Sequence, residues 1–214
     1  MKYDKNIMKM YAVTDSGISK KHSSLEQAVE KSIKGGVTCV QLREKDKETL
    51  IRTAPKIREL CNKFRVPFIV NDDVEVAINV NADGVHVGQS DMEAGKVRKL
   101  IGNKMILGVS VVNLQQAVKA EKDGADFLGV GAVFPTATKT DADFVSYDTL
   151  KEICNGVGIP VVAIGGINMN NIISLRDSGI SGVALVSAIF GADDIEKNCK
   201  ELRERIEEVI CYAD

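Results

Sequence analysis

Residues 126–134 read DFLGVGAVF. A run so nearly free of polar side chains suits a strand covered on both faces, as in a parallel sheet with helices packed on it. Within it, GVGAVF at 129–134 approaches a dinucleotide-binding fingerprint, but Phe134 stands where the third glycine of G-x-G-x-x-G belongs. An open doubly wound sheet would carry that turn directly after an early strand rather than late in the chain. The open sheet is therefore disfavoured, and the question becomes how often such runs recur.

Seven further apolar runs accompany this one: MYAVTD at 10–15, TCVQLRE at 38–44, PFIVND at 67–72, DGVHVGQ at 83–89, MILGVSV at 105–111, IPVVAIGG at 159–166 and GVALVSAIF at 182–190. They follow one another at about 25-residue intervals, enough for a strand, a helix and two short loops. The intervening segments show helical spacing. Leu50, Ile51, Ala54, Ile57, Leu60, Cys61 and Phe64 form one apolar stripe, and Ile195, Cys199, Leu202, Ile206 and Val209 form another; both repeat at i, i+3, i+4. Pro55 interrupts the first, so it either kinks that helix or marks its start. Gly35 and Gly124 stand where helices should stop. Eight strand–helix repeats predict a closed (β/α)8, or TIM, barrel, with short loops because the usual size is nearer 250 residues. With 214 residues, 44% of them hydrophobic, and no polar linker, the chain is expected to form one domain over 1–214, with 1–9 as a short N-terminal extension.

Composition narrows the function. A net charge of −2 from well-mixed acids and bases leaves no basic stripe for nucleic acid and no polybasic tract for a membrane surface. The start MKYDKNIMKM lacks an apolar core after its charges, and no long uncharged apolar stretch follows, so a cytoplasmic protein acting on small molecules is expected. Whether it forms a homo-oligomer is left open by the sequence. Cys39, Cys61, Cys154, Cys199 and Cys211 are odd in number and scattered, which fits reduced, packed thiols.

In a barrel the residues closing each apolar run face the active site. Read that way, the chain offers Asp15; Gln41, Arg43 and Lys45; Asn71 and Asp72; Gln89 and Asp91; Ser110; Thr136, Thr138 and Lys139; Gly165 and Gly166; and Ser187. Arg43, Lys45 and Lys139 suit phosphate oxygens. Asp72 and Asp91 suit Mg2+, a hard ion that takes one or two carboxylates and completes its shell with water and phosphate. Each residue also has a plainer reading. Of Asp72 and Asp73, Asp73 is expected to cap the helix beginning at Val74, because Asp72 stands nearer the strand end, and Asp91 serves equally well as an N-cap for MEAGKVRKL. QLREKDKE is a solvated turn when taken alone, and His86 fits an ordinary barrel-interior histidine. The GG of AIGGI allows a tight turn, and equally a backbone phosphate site after strands seven and eight.

YAVTD, QLREK, FIVNDD, ADGVHVGQSDM, GVS, GVGAVFPTATK, VVAIGGI and GVALVSAIF, in that order, resemble the thiamine phosphate synthase family over nearly the whole chain. The resemblance implies a (β/α)8 enzyme that joins hydroxymethylpyrimidine diphosphate to thiazole phosphate and releases diphosphate. It implies that Gln41, Arg43, Lys45, Asn71, Ser110 and Lys139 hold the pyrimidine diphosphate, with Leu42 and Glu44 part of the same substrate-binding stretch. Asp72 and Asp91 would ligate Mg2+, and Thr136, Ala137, Thr138, Gly166, Val186 and Ser187 would hold the thiazole phosphate. Arg43, Lys45, Ser110 and Lys139 are the residues implied to act on the reaction, with 136–146 as a lid. Val111 and Val112 depart from the family pattern, where a polar residue often follows the serine. Three other functions are weighed: a related thiazole-phosphate tautomerase or regulator, a phosphosugar barrel using Lys139 or Lys45 as a Schiff-base nucleophile, and a binding module without turnover.

Overall fold

The computed structural model describes residues 5–19, 22–136 and 144–210. Eight strands, β1 (Met10–Val13), β2 (Cys39–Leu42), β3 (Phe68–Asn71), β4 (Gly84–Val87), β5 (Ile106–Val111), β6 (Phe127–Val130), β7 (Val161–Ile164) and β8 (Gly182–Leu185), pair in sequence order. All pairs are parallel, and β8 returns to β1 with Tyr11 opposite Ala184, which closes the expected (β/α)8 barrel. Around it lie α1 (Ser16–Ser19), α2 (Leu25–Lys34), α3 (Lys47–Phe64), α4 (Val74–Asn79), α5 (Ala94–Ile101), α6 (Leu114–Lys122), α7 (Tyr147–Gly156), α8 (Ser187–Phe190) and α9 (Ile195–Ile210). Between β7 and β8 the crossover is reduced to a 3-10 turn, Ile172–Leu175.

Two strands are shorter than their apolar runs. β6 stops at Val130, and the chain turns inward so that Val133 N–H donates to the Ile164 carbonyl and Phe134 N–H to that of Gly165. A side chain at Gly131 would fall 1.9 Å from the Ile164 carbonyl oxygen, so only glycine admits this path. Similarly β8 ends at Leu185, and Ser187–Phe190 of the same run is helical. Apolarity reports burial, and a buried one-turn helix carries the same signal as a strand.

The period-two alternation of each strand separates two cores. Tyr11, Val13, Cys39, Ile69, Ile106, Phe127, Val162 and Ala184 point into the barrel. Their sequence neighbours Ala12, Val40, Val70, Leu107, Leu128, Ala163 and Val183, and Leu42 two positions beyond Val40, point out against the helices. Residues before β1 close the bottom: Lys5–Met8 form a 3-10 turn whose Met8 is buried among the inward residues. Helix starts follow local chemistry. Ser24, Asp46, Asp73, Asn113 and Ser146 each accept from the backbone N–H three residues on, a contact worth about 0.5–2 kcal/mol. Asp46 therefore starts α3, and Pro55 lies inside that helix instead of opening it. The barrel base is stitched by Arg98, which donates to the carbonyls of Gly102, Met105 and Gly124 and pairs with Asp126.

Candidate active site

The strand ends surround a cavity of about 580 Å³ at the C-terminal mouth of the barrel. Gln41, Arg43, Asn71, Asp72, Asp91, Ser110, Thr136, Gly166, Val186 and Ser187 all line it. Three expected substrate residues do not. Leu42 is fully buried and belongs to the barrel–helix core, because the residue between two inward positions of a strand must face outward. Its side chain therefore faces away from the cavity. Glu44 turns its carboxylate back to accept from the Lys45 and Asp46 N–H groups, and Lys45 is exposed beside the mouth. Ala137, Thr138 and Lys139 lie outside the described residues, as does most of the expected 136–146 lid.

One side of the mouth is acidic. β3 ends at Asn71, and Asp72 then adopts the left-handed region at φ 64°, with its N–H donating 2.8 Å to the His86 carbonyl. This turn carries the Asp72 carboxyl to that of Asp91. Burial and the Asp91 carboxyl together raise Asp72 to about 6, partly opposed by Arg43 and by a hydrogen bond from Asn71. Asp73 accepts from Val76 N–H and so takes the capping role, leaving Asp72 to the cavity. Asp91 caps no helix: α5 begins at Ala94, and Asp91 accepts at 2.7 Å from Gly88 N–H. Among the described residues no group of three or more His, Cys, Asp or Glu gathers, so Asp72 and Asp91 stand as a pair of hard oxygen donors.

Arg43 is held beside this pair from β1. Its Nη1 donates to Asp15 Oδ2 at 3.1 Å, while Asp15 Oδ1 accepts from Gly17 and Ile18 N–H. The Arg43 N–H donates to Thr14 Oγ1, which fixes its backbone as well. On the opposite side of the ring, β7 and β8 present backbone. Gly165 and Gly166 have φ of 98° and 67°, and a side chain on Gly166 would meet the Pro135 carbonyl oxygen at 2.4 Å. Asn171 Nδ2 and Asn168 Nδ2 both donate to the Gly166 carbonyl and hold the turn.

The cavity floor holds residues that the strand-end reading passed over. Tyr11 is buried, accepts from Gln41 Nε2 at 2.6 Å, and has its hydroxyl pKa pushed well up by burial. His86 lines the cavity and is lowered to about 4 by burial, with Asp91 opposing. Gln116 reaches the wall from the first turn of α6, and its Oε1 accepts from Val112 N–H. Neither Tyr11 nor Gln116 ends an apolar run, so the search pattern had no means of finding them. The described thiols lie away from the cavity. Cys61, Cys154 and Cys199 are each raised to about 12 by burial, and none of the three lines the cavity.

A family model described as Thiamine monophosphate synthase matches residues 10–189. The chain belongs to the thiamine monophosphate synthase family. A member from Clostridium tetani, named thiamine-phosphate synthase, is 49% identical over 195 residues, covering 90% of this chain and 93% of its own. A second, from Ruminiclostridium cellulolyticum and of the same name, is 49% identical over 197 residues, covering 91% and 93%. The solved thiamine phosphate pyrophosphorylase from Pyrococcus furiosus superposes with a TM-score of 0.87 at 38% identity, covering 96% of this chain and 98% of that one. Family membership makes this chain an enzyme acting on small molecules. No helix of the described residues is long and apolar enough to cross a membrane.

Proposed function

We propose that this chain makes thiamine phosphate by transferring the hydroxymethylpyrimidine group from its diphosphate to the nitrogen of thiazole phosphate. The observation that carries the reading is the division of one cavity mouth. Asp72, Asp91, Asn71 and Arg43 cluster on the β2–β4 side, and Gly166, Val186 and Ser187 lie across the ring at β7–β8. Two anions of different size thus have separate seats that face each other, which sets the reacting atoms at a fixed separation.

The bond that breaks joins the pyrimidine methylene carbon to the diphosphate oxygen, which leaves with the electron pair. The bond that forms joins that carbon to the thiazole nitrogen, which attacks with its existing lone pair. No proton has to be removed, so a site without an activated general base suffices. Charge accumulates on the departing oxygens, and Arg43, preplaced by Asp15, stabilises it more in the transition state than in the ground state. Lys45 and Lys139 are assigned to the same diphosphate, and Thr136, Ala137 and Thr138 to the thiazole phosphate. The Asp72–Asp91 pair fits a cation, since the two carboxyls face each other and Arg43, already paired with Asp15, only partly opposes the rise at Asp72. Mg2+ held there would supply neutralisation of the leaving diphosphate. In this reading residues 1–214 form a single catalytic domain working in the cytoplasm.

The test mixes purified protein with hydroxymethylpyrimidine diphosphate, thiazole phosphate and Mg2+ and follows thiamine phosphate and diphosphate by chromatography. Equimolar products that disappear with EDTA and in Asp72→Ala support the proposal. Folded protein that binds thiazole phosphate without turnover sinks it in favour of a binding role.

A further inference from the structure

His86 sits in a space that the barrel has cleared for it. It is 7% exposed, and its ring extends from β4 across two glycines on the next two strands. A side chain on Gly108 would fall 2.4 Å from His86 Nδ1, and one on Gly129 would fall 3.0 Å from Cε1. Phe127 covers the ring at 5.4 Å between centroids. At one end of the imidazole, Nε2 lies 2.9 Å from Ser110 Oγ. At the other, Nδ1 is buried and meets no hydrogen-bond partner among the described residues. A packing histidine in this slot could be replaced by an apolar ring with no polar atom left over, so the bond to Ser110 is the feature that needs a reason.

The orphaned nitrogen indicates the tautomer. A buried N–H without an acceptor is rarer and costlier than a lone pair without a donor. Nδ1 therefore carries the lone pair and Nε2 the hydrogen, so Nε2–H donates to Ser110 Oγ. With that acceptor site filled, the Ser110 hydroxyl hydrogen is free to turn away from the ring into the cavity that Ser110 lines. The Ser110 backbone is fixed separately, since its carbonyl accepts at 2.7 Å from Gln89 Nε2.

We infer that His86 is a positioning residue whose Nε2–H sets Ser110 as a hydrogen-bond donor toward an acceptor on the substrate, a ring nitrogen of the pyrimidine. This rests on the substrate assignment proposed above. The opposite tautomer would make Ser110 donate to His86 and offer the cavity only lone pairs, which match an amino group instead. His86 thus decides which edge of an aminopyrimidine the serine accepts, without touching the reacting carbon.

The chain has two histidines, so nitrogen NMR of the histidine-labelled, otherwise unaltered protein reads His86 directly. The expected result is the Nε2–H tautomer in the ligand-free protein; an Nδ1–H tautomer overturns the inference and leaves the proposed reaction untouched. Kinetics supply the second arm. His86→Leu should raise KM for hydroxymethylpyrimidine diphosphate about tenfold and leave KM for thiazole phosphate unchanged, with His86→Gln, which keeps a donor at the ε position, recovering most of the loss. On a Ser110→Ala background the Leu substitution should add less than about twofold. Fully additive losses would show that His86 acts other than through Ser110. Absence of turnover in the unaltered protein would defeat the reaction proposal while the tautomer measurement still stands.

Discussion

Asp72, turned into the left-handed region at φ 64°, brings its carboxyl to that of Asp91 on the neighbouring strand end, and burial together with that neighbour raises Asp72 to about 6. The folded chain therefore holds this proton more tightly than the unfolded chain, whose Asp72 ionises near 3.8. Its contribution to stability is complete below about pH 4 and is lost as pH rises through about 6. A divalent cation acts in the opposite sense, because only ionised carboxylates bind it. The Mg2+ concentration for half-maximal rate should fall as pH rises from about 5 to about 7 and then level off. Carboxyl-carbon NMR of Asp91→Asn should show Asp72 titrating below its position in the unaltered protein. An unmoved titration would show that burial alone sets it.

The Asp15–Arg43 bond makes a second prediction. Both side chains are about four-fifths covered, and Asp15 is itself held by two N–H groups, so Arg43 is anchored rather than tethered. In Asp15→Asn the Oδ1 acceptor survives and the charge is lost. KM for the pyrimidine diphosphate should rise by roughly five- to tenfold, while stability changes by no more than about 1 kcal/mol because the pair is partly solvated. Steady-state kinetics beside a thermal melt checks both halves. A lower KM would mean that Asp15 competes with the diphosphate for the guanidinium.

The barrel was readable because each strand is apolar on both faces and each crossover is helical, two signals that need no tertiary knowledge. The strand-end rule then found Gln41, Arg43, Asn71, Asp72, Asp91 and Ser110, all of which line the cavity. It could not separate the faces within one stretch. QLREK reads as five candidates, yet alternation sends Leu42 into the helix layer and the loop turns Glu44 onto its own backbone. Nor could it see across strands. The role of His86 depends on Gly108 and Gly129, which are 22 and 43 positions away and become neighbours only in the closed ring.

Leu42 separates packing from binding. Leu42→Ala should cost about 2–5 kcal/mol through lost burial and a residual cavity, lowering Tm by roughly 5–15 °C. At a temperature where the variant remains folded, KM for both substrates should stay within about twofold of the unaltered protein, since the side chain is walled off from the cavity by its own strand. A selective rise in KM with an unchanged melt would restore Leu42 to the substrate site.

Gly166 and Gly102 both have positive φ, at 67° and 62°, and their surroundings differ sharply. Nothing lies within 4 Å of a side chain placed on Gly102, whereas on Gly166 it would meet the Pro135 carbonyl oxygen at 2.4 Å. Gly102→Ala should thus incur only backbone strain, of order 1–3 kcal/mol because its ψ of −155° lies in a region that almost only glycine enters, with no kinetic effect. Gly166→Ala adds a clash with backbone that cannot be relieved by rotating a side chain. The turn that Asn168 and Asn171 hold must then shift away from 132–135, and the seat proposed for the thiazole phosphate shifts with it. KM for thiazole phosphate should rise more than about tenfold while KM for the pyrimidine diphosphate changes little, because that substrate sits on the far side of the ring. Equal rises in both constants would place the two phosphates in a common seat and contradict the division of the cavity mouth.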